Sequence, residues 1–203
     1  ADGSAAMLTI GGVYVSSVLE WEGAQLAVYG ILASLFAVVG AFCGGALDRL
    51  LGPKRALMFE LSMAILIGIF QISITKDAIL YGLVPAGHTV WEGGVFGTLA
   101  DLAYVLAVIP GTIFLVATIS SSRYMLVHIA PPEKIGEFFG FYAMAGSVTV
   151  WLGPGSVGLV TWLTGDERVG FAPVLVLLAT GLASICTVRA DKTPEYLKEN
   201  SRA

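Results

Sequence analysis

Charge is what this chain has least of. Only 13% of its 203 residues are Asp, Glu, Lys or Arg, about half the share usual in soluble domains. A water-soluble globule is excluded on that ground. Cysteine is scarce as well: Cys43 and Cys186 each sit inside an apolar run and read as membrane-buried packing residues, not as a disulfide or a metal pair. A net charge of −4 leaves no basic stripe to neutralise phosphates, so no nucleic-acid partner is expected. There is no phosphate loop of the form G-x-x-x-x-G-K-[ST] and no convergent Ser/His/Asp set, so no enzyme chemistry and no cofactor are expected. His88 and His128 lack a second ligand at metal spacing and read as surface histidines.

What the chain has is apolar length. Mean hydropathy is +0.82, and charges gather in short clusters between runs of roughly twenty residues, enough to cross ~30 Å of hydrocarbon. The spacing predicts an all-α membrane protein with six transmembrane helices, over about 3–19, 23–47, 56–75, 99–122, 135–163 and 170–188. These make one lobe, 1–188, followed by a polar tail, 189–203. A membrane β-barrel would need strict in–out alternation over segments of about ten residues, and none of these runs alternates. Gly153-Pro154-Gly155 should bend the fifth helix, because Pro removes a backbone donor. The segment 78–98 is long for a helical connection, and its apolar residues suggest that it packs on something. No signal peptide precedes the first helix, and Ala1-Asp2-Gly3 reads as the middle of something longer, a fragment or one half of a larger polypeptide.

Orientation follows from the cations. Arg49, Lys54 and Arg55, then Arg123 and Lys134, then Arg189, Lys192, Lys198 and Arg202 are nine of the 11 basic residues and fall on one side. The positive-inside rule makes those two loops and the tail cytoplasmic, with Lys76 and Arg168 on the far side. Trp21, Trp91 and Trp162 fall near that far face, where an aromatic belt is expected.

Gly44-Gly45-Ala46-Leu47-Asp48-Arg49-Leu50-Leu51-Gly52-Pro53-Lys54-Arg55 is the most specific stretch. Its glycines permit close helix approach, and Asp48 is expected to accept hydrogen bonds from a cation or from backbone N–H groups at a neighbouring helix end. The order resembles the G-x-x-x-D-R-x-G-R-[RK] signature of the major facilitator superfamily, with one extra residue before Gly52 and Pro53 in place of a cation. Further along come Ser122-Arg123-Tyr124, Pro131-Pro132-Glu133, Glu137-Phe138-Phe139-Gly140-Phe141-Tyr142, Gly153-Pro154 and Thr164-Gly165. With Asp2-Gly3 at the start, this succession is similar to the C-terminal half of the vacuole-effluxer-like branch, which includes the autophagy-related amino-acid effluxer of fungal vacuoles. The likeness implies two inverted three-helix repeats and alternating access against an N-terminal six-helix half, in the same chain or a separate one. It makes Gly44, Asp48, Arg49, Gly52, Lys54 and Arg55 the conformational-switch loop. Two departures bear on mechanism: the branch's intramembrane Gln and cation are replaced by Ile119 and Ser147.

In the superfamily the first, second, fourth and fifth helices of a half line the central cavity. That resemblance makes Asp2, Gln25, Tyr29, Thr112, Tyr142 and Ser147 the substrate or pore-lining candidates, with Ser34, Thr118 and Thr149 beside them. The alternative for each hydroxyl or amide is a bond to its own backbone or to a neighbouring helix; for Asp2 it is a helix start at the interface. Glu60 is expected to reach Arg55 or Lys54, Asp101 to be interfacial, and Glu137 to pair with Arg123 or Lys134. The leading function is part of a secondary transporter of a small polar solute. The alternative is a transporter-derived structural or assembly subunit, with other membrane subunits as partners beside the lipid bilayer.

Overall fold

The computed structural model describes residues 2–91 and 94–188, without the side chains of 2–6, 8, 9, 148 and 149. The tail expected over 189–203, with its four cations, lies outside the described residues. Seven helices follow one another: α1 (Asp2–Val18), α2 (Gly23–Leu51), α3 (Pro53–Ile72), α4 (Leu99–Ile129), α5 (Ile135–Thr149), α6 (Leu152–Thr164) and α7 (Glu167–Thr187). Five stretches are long and apolar enough to cross a membrane: α2, α3, α4, the 132–164 run carrying α5 and α6, and α7. The protein is all-α and membrane-embedded. At 17 residues, α1 spans only about 26 Å.

Helix ends fall where the backbone forces them, not where charge appears. α2 runs through Asp48 and Arg49 to Leu51 and stops only at Gly52, whose φ of 80° is a left-handed value that suits glycine. Pro53 then opens α3, where its missing N–H has no helical partner to lose. α4 likewise carries on past Ser122 to Ile129, and Pro131 ends it. Between α5 and α6 the helix breaks at Val150 and Trp151. Pro154 cannot donate to the Val150 carbonyl, so the chain restarts with Pro154 in a first turn.

Helices α2, α3 and α4 form the tightest body, and α7 joins it against α1, α3 and α6. Glycine sets the α2–α4 distance. A Cβ on Gly40 would lie 2.6 Å from the Ile113 carbonyl oxygen, and one on Gly44 would lie 3.0 Å from the Ala117 Cα. The two glycines are one turn apart on the same face, the small-x-x-x-small spacing that lets backbones touch in lipid. Gly45 faces open space.

The far-side connection is not featureless. Ala78–Ile79 and Val84–Pro85 pair as a short antiparallel hairpin, and Thr89 bridges Thr98. Ile79 and Ala86 are buried and Phe96 packs on Trp21, so part of the segment caps this lobe. Tyr81, Leu83 and Val90 stay exposed.

Candidate functional site

A small polar cavity lies inside the lobe where α1, α2, α3, α4 and α7 converge. Tyr29 from α2, Gln71 from α3, and Tyr104 and Thr112 from α4 bring four polar heads to a wall otherwise made of Met7, Val108, Leu115 and Phe171. None of the four side chains has a hydrogen-bond partner among the described residues. The cavity holds about one water-sized molecule. Local sequence explains the opening. Pro110 interrupts the α4 ladder, and Gly111 leaves room for the Gln71 amide, 3.5 Å from where a Cβ would be. The Tyr29 hydroxyl sits against Gly11, where a Cβ would come within 2.6 Å.

Of the six pore-lining candidates, the structure brings Tyr29 and Thr112 together on this cavity. Gln25 is elsewhere: its Oε1 accepts the Glu22 backbone N–H at 3.2 Å and closes the cap of α2. Tyr142 shares a 3.1 Å hydrogen bond with Ser122, tying α5 to α4. Ser147 is exposed and donates to the Ala143 carbonyl within its own helix. Ser34 and Thr118 do the same to Gly30 and Phe114. The side chains of Asp2 and Thr149 lie outside the described residues.

Gln71 on α3 is not among the candidates because the resemblance puts only the first, second, fourth and fifth helices at the central cavity. Its signal was available: it is the lone amide within the apolar α3 run.

At the far-side end of the cavity, an aromatic group is locked in place. Trp21 is 2% exposed, so it belongs to the core and not to an interfacial belt. Its ring packs against Tyr29, Phe96 and Tyr104, and its Nε1–H donates to Asp101 Oδ1 at 2.6 Å. Asp101 is therefore buried within the protein, in the first turn of α4. Its other oxygen accepts the Thr98 N–H while Thr98 Oγ1 accepts the Asp101 N–H, which caps α4. Tyr14 stacks on Tyr104, and its hydroxyl reaches the Ile72 and Ile74 carbonyls at the end of α3.

The signature loop departs from expectation. Asp48 is buried, yet its Oδ1 has no hydrogen-bond partner, so neither a cation nor a backbone N–H closes on that oxygen. Glu60 does not reach Lys54 or Arg55. Fully buried on α3, it accepts the Ser121 hydroxyl at 3.0 Å, and its Oε2 is left alone. Lys54 instead donates to the Val188 carbonyl at 2.7 Å, holding the start of α3 to the end of α7. Arg49 and Arg55 are exposed, and Gly44 serves the α2–α4 contact. Glu137 is exposed as well; among the described residues the ion pair found is Lys76 with Glu20, on the far side. His128 is half-buried against Tyr124, and its Nδ1 is inaccessible.

Comparison with known proteins agrees with this architecture. The chain is 29% identical over 181 residues to autophagy-related protein 22 of Cryptococcus neoformans var. neoformans, covering 89% of this chain and 32% of that protein. Autophagy-related protein 22-2 of Penicillium rubens is 27% identical over 197 residues, 93% of this chain and 30% of that protein. The corresponding Aspergillus niger protein is 26% identical over 194 residues, 93% of this chain and 30% of that protein. The chain thus spans about a third of the length of the curated relatives it matches. No solved structure matches it. The family model "Vacuole effluxer Atg22 like" matches residues 1–196, nearly end to end, and the chain belongs to that family of membrane transporters.

Proposed function

We propose that this chain forms one six-helix lobe of a secondary transporter that moves a small polar solute by alternating access. The observation that carries the reading is the effluxer-family match over residues 1–196, on a chain whose helices are long and apolar enough to span a bilayer. Amino acids are the proposed solute class, from the resemblance to the fungal vacuolar effluxer. The match also favours transport over the assembly-subunit alternative.

The cavity around Tyr29, Gln71, Tyr104 and Thr112 has room for water but not for an amino acid. The solute then binds between this lobe and an N-terminal six-helix partner, and the polar cavity serves the lobe's internal hydration. The three spans before the far-side hairpin and the three after it act as inverted repeats that rock as one body. The basic loops and the tail face the cytoplasm by the positive-inside rule.

Proteoliposome counterflow with this lobe and its N-terminal six-helix partner reconstituted together, and a mixture of labelled amino acids, tests the reading. Saturable exchange that requires the purified protein is expected. Absence of exchange with every amino acid and short peptide tried, from protein that elutes as a single folded species, would overturn it.

A further inference from the structure

The end of the lobe carrying the signature loop contains two buried carboxyl groups that the helix packing leaves unsatisfied. Glu60 on α3 is 0% exposed and Asp48 on α2 is 5% exposed. Glu60 Oε2 and Asp48 Oδ1 are both inaccessible and both lack a hydrogen-bond partner. Ser121 on α4 is itself 0% exposed; it lies one turn beyond Ala117, against which Gly44 packs, and Asp48 lies one turn beyond Gly44, so Asp48, Ser121 and Glu60 share one end of the α2–α4 seam. A serine hydroxyl has one proton to donate, and here it goes to Glu60 Oε1 at 3.0 Å. Two neighbouring carboxylates cannot both stay ionised in a dry site without a counter-charge.

The surrounding helices do not supply that charge among the described residues. From α2, Arg49 is exposed; from α3, Arg55 is exposed and Lys54 is committed to the end of α7. From α4, Arg123 is exposed, and His128, two turns beyond Ser121, has a buried and unpartnered Nδ1. From α7, the nearest titratable group is the exposed Cys186. A calcium or magnesium ion would want about six or more oxygens, and no group of three or more acidic, His or Cys side chains gathers among the described residues. A proton needs only two.

We propose that Asp48 and Glu60 hold one proton between their carboxyl groups, with Ser121 orienting Glu60 and His128 passing the proton to and from the basic face of the lobe. The free oxygens of the two acids form the bond: the proton sits on one and is accepted by the other. Its exchange partner is bulk water at the His128 end, so nothing is oxidised or reduced. This site lies outside the expected solute cavity and goes beyond the transport reading.

Infrared difference spectroscopy of the purified protein tests it without any transport assay. The spectrum of the wild type minus that of Glu60→Gln, and minus that of Asp48→Asn, should each show the carbonyl band of one protonated carboxylic acid per chain at neutral pH. In either variant the new amide N–H donates to the surviving carboxylate, so the remaining acid ionises. Glu137→Gln, on an exposed acid, should leave the band unchanged. His128→Ala should keep the band but slow its exchange after a pH jump. If one variant fails to fold, the other and the wild-type titration still decide. The proposal is overturned if both difference spectra lack the band. It is equally overturned if Na⁺ or K⁺ at fixed pH stabilises the wild type but not Glu60→Gln, which would make this a metal-cation site. Neither result touches the counterflow test, so the two readings fail separately.

Discussion

Carboxyl groups are buried at both ends of this lobe, and the two ends treat them differently. On the far side, Asp101 fills both oxygens: Trp21 Nε1–H on one and the Thr98 N–H on the other. At the signature-loop end, Asp48 and Glu60 each keep an oxygen with no donor. A buried acceptor left open costs about 1–3 kcal/mol, so the asymmetry is not neutral. The far-side end is a fastened joint where α1, α4 and the loop meet. The other end leaves two acceptor oxygens that no donor among the described residues meets.

Breaking the fastened end should have the largest effect. Asp101→Ala strands the Trp21 and Thr98 N–H groups in the core, at about 1–3 kcal/mol each. Its melting temperature in detergent should fall by roughly 5–15 °C, taking about 2–4 °C per kcal/mol for a chain of this size. A fall below 2 °C would mean that the joint is not structural. Thr98→Ala removes one cap bond and spares Trp21, so it should cost about 1 kcal/mol and a few degrees in the same assay. Ser121→Ala at the open end should cost less than Asp101→Ala, because Glu60 already has one unsatisfied oxygen and loses only the other contact.

The smallest effect belongs to the surface pair. Glu20 holds the Lys76 ammonium above the usual lysine range by hydrogen bonding and charge. A raised cationic group lends stability below its unfolded value and loses it as pH climbs through the folded one, so the pair's contribution is present at neutral pH and lost at strongly alkaline pH. Both side chains are largely exposed, and solvent screens them. Glu20→Gln should lower the neutral-pH melting temperature by about a degree at most, and its difference from the wild type should vanish at strongly alkaline pH.

Much of this architecture was legible in the residues, because the apolar runs between charge clusters have no other use than to span lipid. The break before α6 could be read from Gly153-Pro154-Gly155, since a missing donor acts locally. The helix ends were less legible: Asp48 and Arg49 look like a loop but ride on α2 until Gly52 permits the turn. The site was the hardest part. Trp21 and Asp101 are 80 positions apart, and Ser121 and Glu60 are 61 apart, so their pairings depend on how α1, α3 and α4 pack. Gly40 carries the other half of the α2–α4 contact, yet only Gly44 stood within a motif. Tyr29 and Thr112 could be singled out as polar residues on apolar helices, whereas Gln71 lies on the third helix, which the resemblance does not count among those lining the cavity.

The most direct test of the contrast between the two ends applies the same chemical change to each. Asp101→Asn replaces one accepting oxygen by an N–H₂, so whichever way the amide turns it faces either Trp21 or Thr98 as donor against donor. Glu60→Gln can keep its oxygen toward Ser121 and place its N–H₂ on the side where Glu60 has no partner and Asp48 has a free oxygen. Measured side by side in one detergent at neutral pH, Asp101→Asn should melt several degrees below the wild type, and Glu60→Gln should melt at or above it. Equal losses in the two variants, or a loss confined to Glu60→Gln, would contradict the account.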